Sequence, residues 1–222
     1  ATASGMAAVT YTILALAYAG DHVVAASTIL LAGCTTDKKE IKAYDEQVQN
    51  AFDKEKPVAN VSKKINKLEE EKQKLFKKAN EKDQQTREKA ANDIVENVEK
   101  REKEFKKEEK ALADSEKEFK KAKQYMSHIE NSAKKKEVTQ LNDAIKEKYK
   151  AHDAYAKAYK KALNKEKELF TFLNQDGATQ SEVDSKSKDL SKAYKDMNKK
   201  FNTYSKAMRK VTQEKQDVDQ LK

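Results

Sequence analysis

The sequence predicts an all-α protein: an elongated antiparallel bundle of three or four long helices, coiled-coil-like in its packing. Three observations carry this. The 222 residues include only four Gly and one Pro, the residues that most strongly interrupt helices. The charged fraction is 38% and the mean hydropathy is -1.04, a balance that long helices tolerate because each buries only a narrow apolar stripe. The same balance fits a disordered chain, and the third observation separates the two. Apolar residues recur at intervals of seven over long distances, which keeps one stripe facing a partner helix.

The segments follow in order. The first, 38–79, contains Pro57, which is best tolerated in the first turn of a helix or at a kink. A break near Asn80–Gln84 ends it. The second, 84–130, carries Val98, Phe105, Leu112, Phe119 and Met126 at heptad spacing. Its weaker companion row is Ile94, Arg101, Glu108, Ser115, Ala122 and Ile129, a stripe narrow enough for a slender bundle. A turn near Asn131–Lys135 leads into the third, 135–174. There Val138, Leu141, Ile145, Tyr149, Tyr155, Tyr159, Leu163, Leu169, Phe170 and Leu173 form a broader apolar face. Gly177 suits the left-handed position after a helix end. Thr179-Gln-Ser-Glu182 then reads as a capping box. The fourth segment, 179–221, repeats Val183, Leu190, Met197, Tyr204, Val211 and Val218, with Tyr194, Phe201 and Met208 completing the seam.

Each segment of about 40 residues would be roughly 60 Å long. Similar lengths and short connections imply antiparallel neighbours. Pairs such as Glu70/Lys74, Glu102/Lys106 and Glu116/Lys120 sit at i, i+4, and each adds only about 0.2–0.5 kcal/mol. The apolar stripes must therefore supply most of the stability.

The composition divides at the only cysteine, Cys34. Residues 1–33 hold one charged residue, Asp21, and three of the four glycines. The remainder holds all 47 Lys+Arg and 37 of the 38 Asp+Glu, an excess of +10. The expected domains are accordingly an apolar leader, 1–33, outside the fold, and a helical bundle domain, 34–222. Lys and Glu are interleaved, as on a solvated helix surface. The excess favours polyanionic neighbours: lipid headgroups, phosphate-rich polymers or nucleic acid.

Little of the sequence points to catalysis. His22, His128 and His152 are the only histidines, none at metal-ligand spacing, and there is no second Cys. Neither a metal nor a cofactor is expected. The many carboxylates would need a pocket that separates their pKa values to act as an acid–base pair, and a slim bundle offers no sign of one. No enzyme is expected, and no catalytic residue is assigned. Tyr149, Tyr155 and Tyr159 are read as seam packing with hydroxyls reaching water, ahead of an aromatic ligand strip. Lys134, Lys135 and Lys136 form a basic turn, solvated or in contact with a polyanion.

Leu31-Ala32-Gly33-Cys34 matches the bacterial lipobox, in which small residues admit a peptidase and the cysteine thiol is acylated. The polar tether Thr35-Thr36-Asp37-Lys38-Lys39 follows. Several acyl chains give stable anchoring where one is marginal. Val23 to Gly33 is about the length of a signal-peptide apolar region. No Lys or Arg precedes it, however, and its flank is Asp21-His22.

Two resemblances add to this. ATASGMAAVTYTILALAYAGDHVVAAST, at the start, resembles a fragment of the pyridoxal-phosphate-dependent Cys/Met-metabolism enzymes. In that family the turn matching Ser4-Gly5-Met6 helps to cradle the cofactor phosphate. The rest of such an enzyme does not follow, so residues 1–29 are expected to be a foreign junction and no cofactor site. Residues 31–222 resemble the cell-wall-binding lipoproteins of Gram-positive bacteria (YkyA-like). The resemblance is carried by LAGC at 31–34, IKAYDEQVQNAFDKEKPV at 41–58 and KYKAHDAYAKAYKKALNKEKELFTFL at 148–173. It implies a helical bundle on the outer face of the cell membrane, held by lipid on Cys34.

The expectation is a non-catalytic, lipid-anchored surface protein. Its partners would be the membrane, anionic cell-wall polymers and a protein bound through the helical surface, with no specific nucleic acid. The alternative is a cytosolic coiled-coil scaffold or a nonspecific polyanion- or nucleic-acid-binding helical protein.

Overall fold

A computed structural model describes the backbone of residues 27–222 except 176, and side chains from 36 onward. The readings placed on 1–26, including Ser4-Gly5-Met6 and His22, lie outside the described residues. So do the side chains of Leu31, Ala32, Gly33 and Cys34.

Four long arms are helical, and no strand occurs among the described residues. The first arm is α1 (Ser27–Asp53) and α2 (Lys56–Lys78), joined by a one-turn break. Pro57 causes the break. It sits in the first turn of α2, where its missing N–H costs nothing, and its ring cannot follow a continuous helix. The second arm is α3 (Gln84–Phe119), which tightens into a 3-10 turn at Lys120–Ala122 and ends in α4 (Lys123–Met126). The third is α5 (Ser132–Phe172) and the fourth α6 (Gln180–Asp219).

The caps explain the boundaries. The Asp83 side chain accepts from the Thr86 N–H at 2.8 Å, and the Asn131 side chain from the Lys134 N–H at 3.1 Å. Thr179 and Glu182 form the full capping box. Gly177 has φ 85°, the left-handed conformation that glycine adopts without a Cβ penalty. Helix α5 ends at Phe172, so Leu173, expected on the apolar face, is 39% exposed.

Three apolar layers follow one another along the rod. The first joins Ile41, Tyr44 and Val48 of α1 to Leu112 and Phe119 of α3, Leu141 and Ile145 of α5, and Val211 and Val218 of α6. The second centres on Val98, Phe105, Tyr159 and Leu163. The third joins Ile94, Leu169, Phe170 and Leu190. The heptad row from Val98 to Phe119 is buried as expected. On α6 the companion row packs less tightly, because α6 leans chiefly on α5. Tyr194 and Met208 are half-buried, and Phe201 is 45% exposed.

Candidate functional site

Polar side chains lie between the apolar layers, on the row of α3 that reads as weak in the sequence. Arg101 is 0% exposed. Its guanidinium donates to Glu69 Oε1 of α2 at 2.7 Å, to Glu166 Oε1 of α5 at 2.8 Å and to Asn97 Oδ1 at 2.8 Å. Tyr194 of α6 donates to the other Glu166 oxygen, and Lys72 pairs with Glu69 and donates to Tyr194. Residues from four helices are thus joined. Burial opposes the Arg101 charge, but Glu166 and Glu69 outweigh it and hold the guanidinium firmly protonated.

One heptad on, Glu108 meets the buried His152 at 3.2 Å. Another heptad on, Ser115 donates to Glu55 Oε1 at 2.6 Å and shares a 2.7 Å hydrogen bond with the Tyr149 hydroxyl. Lys148 pairs with Glu55 at 2.5 Å and lies 4.7 Å from the ring centres of Phe52 and Tyr149. The break before Pro57 places Glu55 here: as the residue before α2 its side chain makes no cap and turns inward instead. Burial lowers the Lys148 pKa, and Glu55 offsets part of that. Tyr149, Tyr155 and Tyr159 do pack in the seam, but the expected wet hydroxyls are not found at Tyr149 and Tyr159. The Tyr149 hydroxyl is tied to Ser115, and that of Tyr159 is buried beside Arg101. His128 lies exposed in the turn before α5, 3.3 Å from Glu40.

A second feature lies outside, where α3 and the 3-10 turn diverge from α5. A furrow of about 510 Å³ opens there. Lys120 and Lys123 rim one side, and Lys146, Lys150 and Lys157 the other. Phe119, Tyr149 and Ala154 contribute to its floor, and Glu116 and Asp153 are its carboxylates. Farther along, Lys160 reaches across to Glu109 at 2.6 Å.

The turn expected near Asn131–Lys135 lies earlier, before Ser132, because Asn131 caps the helix and leaves Lys134, Lys135 and Lys136 inside it. They fall within the first five residues of α5. Lys134 is half-buried, the other two are exposed, and none of the three lines the furrow. The furrow lysines were missed in the sequence, although Lys146 and Lys150 are one turn apart and Lys157 two turns further. Near the same end, Asp37 is 2% exposed and accepts from the backbone N–H groups of Glu130 at 2.7 Å and Asn131 at 3.0 Å. That clamp ties the start of the bundle to the turn before α5, three residues after Cys34. Glu137, Glu214 and Asp217 bring carboxylate oxygens within 4.8 Å of one another. Among the described residues, no helix is long and apolar enough to cross a membrane.

Layered polar and apolar packing along four arms, with a basic furrow on one flank, defines an elongated helical-bundle protein with a cationic outer surface. The chain belongs to the YkyA family, described as "Putative cell-wall binding lipoprotein", whose model matches residues 39–221. It is also similar to a conserved protein of unknown function from Staphylococcus aureus, known from a 1.6 Å crystal structure. The two are 48% identical with a TM-score of 0.78, over 91% of this chain and 100% of that one. No curated protein matches.

Proposed function

We propose that the chain is a non-catalytic surface protein, anchored by lipid on Cys34 to the outer face of the cell membrane and directed toward the cell wall. The observation that carries this is the family match over nearly the whole bundle, joined to Leu31-Ala32-Gly33-Cys34 just ahead of it. The Asp37 clamp supports it. An acylated Cys34 would be at most about 10 Å of chain from Asp37, so the rod would be held by one end. Lys134, Lys135 and Lys136 lie at that end and suit anionic headgroups, each worth about 1 kcal/mol close to such a surface. A non-catalytic role is supported by the buried charges. Arg101, Glu166, Lys148 and Glu55 are matched with one another inside the bundle, in the manner of structural ion pairs.

Cell fractionation tests the reading. The protein is expected in the membrane fraction, exposed to added protease in wall-stripped cells, and released by Cys34→Ala. A soluble cytosolic pool unaffected by that substitution would overturn it and favour the scaffold alternative.

A further inference from the structure

We infer that the furrow between α3 and α5 is a binding site for a polyol-phosphate chain, a linear polymer of phosphodiesters joined by short hydroxylated carbon units. The inference gives the wall-directed reading above a ligand class, and it rests on that reading only for where the ligand would be met.

The geometry points to this chemistry in three ways. The furrow is long: its α5 wall, from Asn142 to Lys157, spans about 22 Å at the helix rise. That suits a strand better than a compact metabolite. Its charge is repeated rather than focused. Lys146, Lys150 and Lys157 follow one another along α5, while Lys120 and Lys123 face them. Five ammonium groups against the carboxylates Glu116 and Asp153 leave an excess of three. Finally, the wall between the charges is apolar. Lysine carries its ammonium on a four-carbon stem, and the stems, with Phe119 and Ala154, give carbon units a surface to lie on between successive phosphates. Lysine binds phosphate as a point charge without demanding bidentate geometry, so a flexible repeating ligand can slide in register.

Three lysines of the rim already have weak local partners. Lys120 meets Glu116 at 2.9 Å, Lys146 meets Asp143 at 3.4 Å and Lys150 meets Glu147 at 3.9 Å. These exposed contacts contribute little and yield readily to a phosphate. Lys123 and Lys157 make no ion pair among the described residues and remain available. At the far end the Lys160–Glu109 contact bridges the two helices, marking where the open stretch stops.

The test is a fluorescence titration of the full chain with a labelled six-unit glycerol-phosphate oligomer, using dextran of equal size as the neutral control. Binding is expected to the oligomer and not to dextran, and to weaken with salt as counterion release requires. Lys123→Gln, Lys150→Gln and Lys157→Gln together should weaken it at least tenfold. Removing the same charge from exposed α6 positions, with K188Q, K195Q and K199Q, should change it less than threefold. Helical circular dichroism should be unchanged in both. Equal loss in the two triple variants would show diffuse charge attraction and overturn the site, as would equal binding to dextran or none to the oligomer. Wall fragments carrying such chains and vesicles carrying them on a lipid separate the two sources. Capture by either supports the site, and capture by neither overturns it. The titration does not depend on acylation, so loss of the Cys34 anchor and loss of the furrow would be seen separately.

Discussion

Replacing Arg101 with Met should destabilise the bundle by about 3–5 kcal/mol, the cost of breaking a buried pair from one side. The structure shows where that cost arises. Glu69 is partly exposed and keeps Lys72, so it loses little. Glu166 is 0% exposed and would keep only the Tyr194 hydroxyl, too weak a partner for a carboxylate buried between apolar layers. Removing the orphan as well, with R101M and E166M together, should recover much of the loss. A coupling of at least about 2 kcal/mol is expected between neighbours in one network. The assay is urea unfolding followed by helical circular dichroism, with the denaturant slope required to stay constant. A single-variant cost under about 1 kcal/mol, or additivity within about 0.5 kcal/mol, would refute the view that Arg101 ties the arms together.

Further predictions concern the phenols, the caps and the furrow. Burial raises the pKa of Tyr44, Tyr149, Tyr155, Tyr159, Tyr194 and Tyr204 above the ordinary value near 10, six of the nine tyrosines. Since the folded state holds these protons more tightly, their contribution is intact below pH 10 and falls as pH rises beyond it, by about 1.4 kcal/mol per phenol per pH unit. Lys148, lowered by burial, acts in the opposite sense as pH approaches 10.5, but it is one group against six. Phenolate absorbance should therefore show the six ionising only as helicity collapses; ionisation with the helices intact would contradict this. At the last helix start, Thr179→Ala should cost about 1 kcal/mol in urea unfolding by losing a cap. Gly177→Ala should cost about 1–2 kcal/mol through its positive φ alone, because a Cβ there meets nothing within 4 Å. Equal stability of either variant would show that the α5–α6 connection is not set by these residues. At the furrow, the Lys123, Lys150 and Lys157 substitutions should leave the urea midpoint nearly unchanged, since surface charges contribute little to stability. A large shift would mean that they serve the fold.

Helix boundaries were legible because their signals are local. Pro57, the Gly177 position and the Thr179–Glu182 box each act within one turn, and the structure places the breaks where they predict. The polar row on α3 was not legible. Arg101, Glu108 and Ser115 look like gaps in an apolar stripe until their partners are known, and Glu166, His152 and Tyr149 lie 34–65 residues away. The same blindness to distant partners misplaced the Tyr149 and Tyr159 hydroxyls. The furrow was missed for a related reason: its lysines share a rim only once α3 and α5 are side by side.

The proposed membrane attachment depends on the Cys34 thiol, and metabolic labelling with a clickable fatty-acid analogue reads that attachment at the residue itself. Label is expected on the membrane-associated protein and none on Cys34→Ala, with the variant recovered outside the membrane fraction. An exported protein without label, or label that survives Cys34→Ala, would contradict it.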